Sequence, residues 1–173
     1  MDKIGTVLIL EGSEQCGKTT LGQKIQNEFK ALYLHGSRPL DNNFEEYHKT
    51  MLATALYFAR QGHVVVIDRC FISHEIYNTM FDGAPQYDTH QLYEEFKTSC
   101  VEAGLNFKII YCRPERTFDP NLREEMYDDS DGKIQLAFDK EMSHYLAEDA
   151  VWAYNWQEEP TGQSIINRIK EEL

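Results

Sequence analysis

Apolar residues in this chain gather in short runs, separated by longer segments with helical spacing. Five runs have the length of a strand, at 6–10, 31–34, 63–67, 107–112 and 151–156. Several of them, such as VVVI at 64–67, are continuously apolar instead of alternating. Runs of this kind are typical of strands buried on both faces of a parallel sheet. The pattern therefore predicts a parallel sheet with helices on both sides.

The segments between the runs carry apolar residues four positions apart, which gives each predicted helix one apolar face. Leu21, Ile25 and Phe29 form one such stripe, and similar stripes follow near 92–100, 138–146 and 165–173. The alternation of strands and helices predicts an α/β fold of three layers with right-handed crossovers. No linker or repeat interrupts it, so we expect a single domain over residues 1–173.

The segment 113–133 departs from this alternation. It is polar, contains two prolines and the run DDSDG, and carries Arg113, Arg116 and Arg123. We expect it to form a mobile, partly helical lid over an active site.

Composition limits the classes of partner. The 173 residues include 29 acidic and 17 basic ones, for a formal charge of −12. Proteins that bind nucleic-acid polymers normally present a basic face, so this balance favours a pocket for a small anion. The four cysteines form no CxxC pair, and no apolar run approaches the length of a membrane span. We therefore expect a cytoplasmic protein with reduced thiols and no membrane partner.

Directly after the first strand, residues 12–19 read GSEQCGKT, a full match to the phosphate-loop pattern GxxxxGK[ST]. Glycines let the backbone approach phosphate oxygens, and the following helix points its positive end at them. We expect Lys18 to contact the β- and γ-phosphates of ATP, and the Thr19 hydroxyl to bind Mg²⁺. The predicted nucleotide-binding residues are Gly12, Ser13, Gln15, Cys16, Gly17, Lys18, Thr19 and Thr20.

The third apolar run ends in Asp68 and Arg69, at the edge of a parallel sheet where ligands bind. Asp68 is predicted to join Thr19 in the Mg²⁺ shell, and Arg69 to neutralise a phosphate. An aspartate that caps a helix and pairs with an arginine is the alternative for these two residues.

These segments together resemble the thymidylate kinase family. EGSEQCGKTT at 11–20 is similar to the family pattern EGxDGxGKTT, and DRCFISHEIYN at 68–78 is similar to DR[YHW]xxSxxAYQ. The turn around Arg38 and Pro39 resembles, more loosely, the family's Arg-x-Pro turn. The short chain resembles the compact versions carried by bacteriophages. The resemblance implies a P-loop fold with five strands in the order 2-3-1-4-5.

The resemblance also implies an enzyme that transfers the γ-phosphoryl group of ATP to a deoxynucleoside monophosphate, dTMP above all. Arg69 and Arg38 would bind the acceptor phosphate, and Glu14 would face the sugar. Ser73 and Asn78 would read the base, with Tyr77 supporting that wall. The lid arginines, Arg113, Arg116 and Arg123, would stabilise the transferring charge, because the phosphate loop carries none. Related kinases often pair through helices, so a homodimer is one expected assembly.

Some positions depart from the family pattern. Asn78 stands where the family has Gln, and Cys70 and Ile76 replace a larger ring and a small alanine. The nearest alternative is a deoxynucleoside kinase, in which Glu11 would act as general base on a 5′-hydroxyl. A 5′-polynucleotide kinase is a further alternative, against which the acidic balance counts. A GTP-driven switch would need an NKxD-like motif, and none occurs.

Overall fold

The computed structural model describes residues 4–83, 87–115, 127, 129, 131–146 and 148–172. Within these residues, strands and helices alternate along the chain. The strands are β1 (Thr6–Glu11), β2 (Leu32–His35), β3 (Val64–Asp68), β4 (Asn106–Cys112) and β5 (Val151–Tyr154). The helices are α1 (Lys18–Phe29), α2 (Phe44–Ala59), α3 (Phe71–Tyr77), α4 (Thr89–Glu102), α5 (Lys133–Met142) and α6 (Gln163–Glu172), with a π-helical turn at Asn78–Asp82.

The described strands form one parallel sheet in the order β2-β3-β1-β4-β5. This confirms the predicted α/β fold and strand order. β1 lies at the centre, and its Leu10 is level with Asp68 of β3. Asp68 in turn is level with His35, the last residue of β2. The carboxyl ends of three neighbouring strands therefore meet at one edge, where the loops that follow them can form a site.

Alternate residues of β1 belong to two separate apolar layers. Val7 and Ile9 pack in a cluster that includes residues of α2, α3, α4 and α5. Leu8 and Leu10 pack on the other face with residues of α1 and α6. Every residue of β1 is buried, because the strand contacts a helical layer on each side. This arrangement is the physical reason for the continuous apolar runs in the sequence.

The observed strands differ from the predicted runs by one or two residues at their ends. β5 ends at Tyr154, so Trp156, which belongs to the predicted run 151–156, lies beyond the strand and is half-buried. Most of the predicted lid, residues 116–126, 128 and 130, lies outside the described residues. All four cysteines are buried and unpaired with one another.

Candidate active site

The phosphate loop connects the buried end of β1 to the first turn of α1, which begins at Lys18. Gly12 and Gly17 adopt positive φ values of 149° and 86°. A Cβ atom on Gly12 would lie 2.3 Å from the carbonyl oxygen of Cys112, so only glycine fits there. Because no side chain caps α1, its first N–H groups remain available to an anion. The loop therefore has the backbone geometry of a phosphate cradle.

Lys18 is buried and folds back onto this loop. Its ammonium donates to the carbonyl oxygens of Gly12 (2.8 Å) and Ser13 (2.5 Å) and to the Cys16 sulfur (3.0 Å). An ammonium has three N–H donors, so these contacts use all of them. A nucleotide that binds to Lys18 must therefore exchange these contacts for phosphate oxygens.

A side-chain network connects the loop to α5. The Ser13 hydroxyl donates to Oε1 of Gln135 (2.6 Å), and Nε2 of Gln135 donates to the Tyr111 hydroxyl (3.0 Å). Asp129 caps the same helix by accepting from the backbone N–H groups of Ile134 (2.7 Å) and Gln135 (2.9 Å). Helix α5 therefore contacts both the phosphate loop, through Ser13, and the described end of the predicted lid, through Asp129.

Asp68 and Thr19 are in direct contact, as the sequence predicts for a shared metal shell. The Thr19 hydroxyl donates to Oδ2 of Asp68 (2.8 Å), and the Tyr33 hydroxyl donates to the same oxygen. The other oxygen, Oδ1, is buried and has no hydrogen-bond partner among the described residues. Mg²⁺ prefers oxygen ligands and is usually held by one or two carboxylates together with phosphates and water. The residues present therefore fit a magnesium ion.

Arg69 forms an ion pair with Glu14 of the phosphate loop, and both side chains are largely buried. Nη2 of Arg69 lies 2.8 Å from Oε1 of Glu14, which also accepts from the Tyr77 hydroxyl at 2.8 Å. The guanidinium lies 5.3 Å from the centroid of the Tyr77 ring and donates to its hydroxyl. Arg69 adopts a φ of 68°, which is uncommon for a residue with a side chain. This conformation points to a functional constraint at the end of β3.

Arg38 lies across the same opening but is more exposed. It pairs with Asp82 (2.8 Å) and donates to Asn42 (3.1 Å), and it lies 6.0 Å from the centroid of the Phe44 ring. Both predicted phosphate-binding arginines thus have carboxylate partners, Glu14 and Asp82. An acceptor phosphate would compete with these carboxylates for the guanidinium groups.

Glu11 is fully buried beneath the loop. Its Oε1 accepts from the Cys70 backbone N–H (3.1 Å), and its Oε2 accepts from the Ser73 hydroxyl. Burial raises the pKa of Glu11 to about 7, although the bond from Ser73 and the charges of Lys18 and Arg69 oppose the rise. Ser73, predicted to read the base, is thus engaged with Glu11.

We expect Glu11→Gln to stabilise the protein more at pH 8 than at pH 5. Folded Glu11 keeps its proton up to about pH 7, whereas the ordinary value is 4.5. The folded state therefore binds more protons in that window, so the free energy of unfolding falls as the pH rises through it. The stability gained by Glu11→Gln should grow by on the order of 2 kcal/mol between the two pH values.

Urea unfolding of both proteins at pH 5 and pH 8 measures this effect. Glu102→Gln, at an exposed position of α4, is the control and should show no such growth. An equal effect of the two substitutions at both pH values would contradict the assignment.

One cavity of about 850 Å³ brings most of the predicted site together. The predicted residues that line it are Glu14, Gln15, Cys16, Gly17, Lys18, Thr19, Thr20, Arg38, Arg69, Tyr77 and Asn78. Asp68 reaches it through its bond to Thr19. Among the described lining residues, Glu11 and Ser73 do not occur. The phosphate loop and the residues that follow β3 therefore face the same space.

Further residues line this cavity that the sequence analysis did not assign to the site, among them His74, Tyr127, Tyr154 and Trp156. His74 and Asn78 are four positions apart, a spacing that puts both on one side of the helical segment. That spacing was a readable signal in the sequence. Tyr127 stacks on Tyr77 with 4.8 Å between ring centroids, a contact between distant segments that no sequence pattern announces.

The lid arginines were predicted to bring positive charge to the cavity. Arg113 instead pairs with Asp139 through two bonds, of 2.7 and 3.0 Å, and is not among the described lining residues. A catalytic role would require Arg113 to leave Asp139. Arg116 and Arg123 lie outside the described residues.

Comparisons with known proteins match the fold but not the sequence. No protein-family model and no curated protein sequence matches the chain. The YorR protein of Bacillus subtilis, solved in complex with phosphorylated GDP, superposes with a TM-score of 0.67 at 18% identity, over 96% of each chain. Thymidylate kinase from Ehrlichia chaffeensis superposes with a TM-score of 0.55 at 11% identity, over 95% of this chain and 99% of that one.

A third similar structure is deoxyadenosine kinase from M. mycoides with bound dCTP. Its TM-score is 0.52 at 16% identity, over 95% of this chain and 99% of that one. Among the described residues, no helix has the length and apolarity needed to cross a membrane. Identities at this level establish shared architecture and leave activity to be argued from the site. The chain therefore has the P-loop fold that is shared by thymidylate kinases and deoxynucleoside kinases.

Proposed function

We propose that this protein is an ATP-dependent nucleotide kinase that phosphorylates a deoxynucleoside monophosphate, dTMP above all. The observation that carries the proposal is the cavity of about 850 Å³ that the phosphate loop shares with Arg69, Arg38 and Glu14. A donor site and a group of side chains suited to an acceptor phosphate in one cavity would permit direct transfer between two bound nucleotides. Positioning and charge stabilisation supply most of the catalysis in phosphoryl transfer.

The reaction joins an acceptor phosphate oxygen to the γ-phosphorus of ATP, and the bond from that phosphorus to the β,γ-bridging oxygen breaks. ADP and a nucleoside diphosphate are the products. In the proposal, backbone N–H groups of residues 12–19 bind the β-phosphate. The Lys18 ammonium binds β- and γ-oxygens and stabilises the charge that develops during transfer.

Thr19 and Asp68 would hold Mg²⁺ with the ATP phosphates. The bound ion would neutralise charge on the phosphate oxygens. The contact of 2.8 Å between the Thr19 hydroxyl and Oδ2 of Asp68 supports this role, because both oxygens lie together where the loop meets α1. Tyr33 donates to the same oxygen and would fix the orientation of the carboxylate.

We expect Asp68→Asn to raise the Mg²⁺ concentration needed for half-maximal activity by about tenfold, because an amide oxygen attracts a cation less than a carboxylate does. Initial rates measured across a Mg²⁺ titration test this. Asp41→Asn, at an exposed position outside the described cavity lining, is the control. An unchanged titration curve for Asp68→Asn would remove Asp68 from the metal shell.

On the acceptor side, Arg69 and Arg38 would bind the monophosphate. Glu14, which accepts from both Arg69 and Tyr77, would hold the guanidinium in place and face the sugar. Asn78 would contact the base at the buried end. Ser73 donates to Glu11 and would thereby support the side of the cavity behind the acceptor.

The deoxynucleoside kinase alternative requires Glu11 as general base. Both oxygens of Glu11 already accept hydrogen bonds, and Glu11 is not among the described residues that line the cavity. A general base must reach the proton it removes, directly or through one water molecule. This geometry favours an acceptor that already carries a phosphate, because such an acceptor needs no base.

A product panel tests the proposed function. The protein is incubated with ATP and Mg²⁺ together with deoxynucleosides, their monophosphates or 5′-hydroxyl DNA, and the products are separated by chromatography. We expect new diphosphate from monophosphates, and above all from dTMP. New monophosphate from nucleosides, lost in Glu11→Gln, would support the deoxynucleoside kinase instead. Phosphorylated DNA would support a polynucleotide kinase.

A further inference from the structure

We propose that His74, held by His48 and Cys70, is a specificity-determining residue that presents an N–H donor to the acceptor base and so favours 4-oxopyrimidine and 6-oxopurine bases. The inference rests on the proposed function for the identity of the ligand. It concerns a residue that resemblance to known kinases did not single out.

The first observation is the position of His74. It lies on α3, lines the acceptor side of the cavity and is 9% exposed. Asn78, four residues further along, lines the same cavity. Ser73, the neighbour that the sequence assigned to the base, donates to Glu11 instead. Two other lining residues of this segment are already engaged, Tyr77 with Glu14 and Asp82 with Arg38. His74 and Asn78 are therefore the side chains of this segment best placed to contact a base.

The second observation is a chain of buried contacts behind His74. Nδ1 of His74 lies 3.1 Å from Nε2 of His48, and Nδ1 of His48 lies 3.9 Å from the Cys70 sulfur. His48 and Cys70 are both fully buried. Each imidazole uses one nitrogen toward the next member of the chain. Among the described residues, Nε2 of His74 has no hydrogen-bond partner and is the nitrogen left for a ligand in the cavity.

Both imidazoles are neutral at ordinary pH. Burial lowers the pKa of His48 to about 3, with a further contribution from His74. Burial also lowers the pKa of His74 to about 4, and the positive charges of Arg69 and Arg38 add to the effect. A neutral imidazole has one N–H donor and one acceptor nitrogen, so the contacts along the chain decide which nitrogen of His74 carries the proton.

The direction of donation along Cys70, His48 and His74 is set by the thiol at the buried end. A thiol brings one S–H donor, and an imidazole nitrogen is a far better acceptor than sulfur. Cys70 therefore donates to Nδ1 of His48, which leaves the His48 proton on Nε2. That N–H donates to Nδ1 of His74, which leaves the His74 proton on Nε2, the nitrogen without a partner among the described residues.

An N–H at this place complements a carbonyl oxygen and repels an exocyclic amino group. Thymine and guanine carry such an oxygen, whereas cytosine and adenine carry an amino group at the corresponding position. A site built to hydrogen-bond one group rejects the analogue that leaves its buried polar atoms unpaired. His48 and Cys70 act through His74 and are positioning residues.

Two measurements test the inference. Long-range ¹H–¹⁵N spectra of the protein without ligand report which ring nitrogen carries the proton, and we expect Nε2 for both His74 and His48. Calorimetry with a non-hydrolysable ATP analogue then gives the affinities for dTMP, dCMP, dGMP and dAMP. The comparison is made between the two pyrimidines or between the two purines, whichever pair binds. In that pair we expect the nucleotide with the oxo base to bind at least about tenfold more tightly than the one with the amino base.

The variants separate the role of His74 from a structural one. His74→Phe should reduce that ratio to about threefold or less, and His74→Gln, which retains an N–H donor, should preserve most of it. His48→Leu removes the donor to Nδ1 of His74, so the spectra should show the His74 proton distributed between Nδ1 and Nε2, and the affinity ratio should fall. His144→Phe, at an exposed position, is the matched control and should change neither measurement.

A proton on Nδ1 of His74, or a ratio that His74→Phe leaves unchanged, would overturn the inference. Failure of the proposed function is a different result: the monophosphates would bind, but no diphosphate would form from any of them. Binding selectivity would then still decide the role of His74. Absence of binding by all four monophosphates would overturn both.

Discussion

Replacement of Lys18 by Ala is expected to lower the turnover number by at least about a thousandfold, the largest effect of any single change proposed for this protein. Its ammonium is buried inside the phosphate loop, within 3.0 Å of three loop atoms, and is the basic group closest to the γ-phosphate in the proposed complex. The developing charge would lose its main partner on the protein.

Steady-state kinetics with ATP and the best acceptor of the panel measure this loss, and thermal unfolding shows whether the fold survives. Lys49→Ala removes an exposed lysine of α2 that pairs with Glu45, and it should leave the turnover number unchanged. If Lys18→Ala retained turnover within about threefold of the native protein, the phosphate loop could not be the catalytic site.

The second large effect is expected for Gly12→Ala. A Cβ at this position would lie 2.3 Å from the carbonyl oxygen of Cys112 and 2.8 Å from the Cys16 sulfur. The first of these atoms belongs to β4, inside the sheet, and cannot move aside. The loop must therefore shift, and a shift of about 1 Å can cost about a hundredfold in rate.

Binding of an ATP analogue and kcat/KM for ATP measure the effect of Gly12→Ala. Gly104→Ala is a suitable comparison, since Gly104 also has a positive φ, of 66°, but open space around its Cβ position. Alanine at Gly104 carries backbone strain of about 1 kcal/mol, because a φ of 66° lies in the left-handed region. The strain at Gly12 is larger, because side chains rarely adopt a φ of 149°. Only Gly12→Ala should lose affinity for the nucleotide. Equal losses in the two variants would show that strain, and not the fit of the loop, is responsible.

Much of the fold could be predicted from the sequence, because strands inside a parallel sheet have a characteristic apolar composition. The continuous apolar runs identify strands covered on both faces, and the five strands indeed form one parallel sheet. The meeting of the phosphate loop with Asp68 and Arg69 was equally accessible, since parallel strands present their carboxyl ends at one edge. Strand ends were less accurate. Trp156 continues the alternation of aromatic residues set by Trp152 and Tyr154, so the sequence does not mark the end of β5 at Tyr154.

The side-chain partners inside the site were beyond the sequence. Arg69 and Glu14 are 55 positions apart, and His48 and His74 are 26 apart, so their pairing depends on how α2, α3 and the loop pack together. Ser73 shows the same limit. A rotation of α3 by one residue decides whether its side chain faces the cavity or contacts Glu11, as it does in the structure. Arg113 was assigned to the active site because its segment resembles the lid of the thymidylate kinase family, and in the structure it pairs with Asp139 of α5.

The folded-back position of Lys18 affects the free energy with which the loop would bind a nucleotide. Because its three N–H groups are already bonded to loop atoms, arrival of a triphosphate exchanges one set of contacts for another, and the net enthalpy of association is smaller than the number of new contacts suggests. The same exchange runs backwards when ADP leaves. If the proposed function holds, the loop carbonyl groups compete with the phosphates for the Lys18 ammonium, and this competition would favour release of ADP over tight binding.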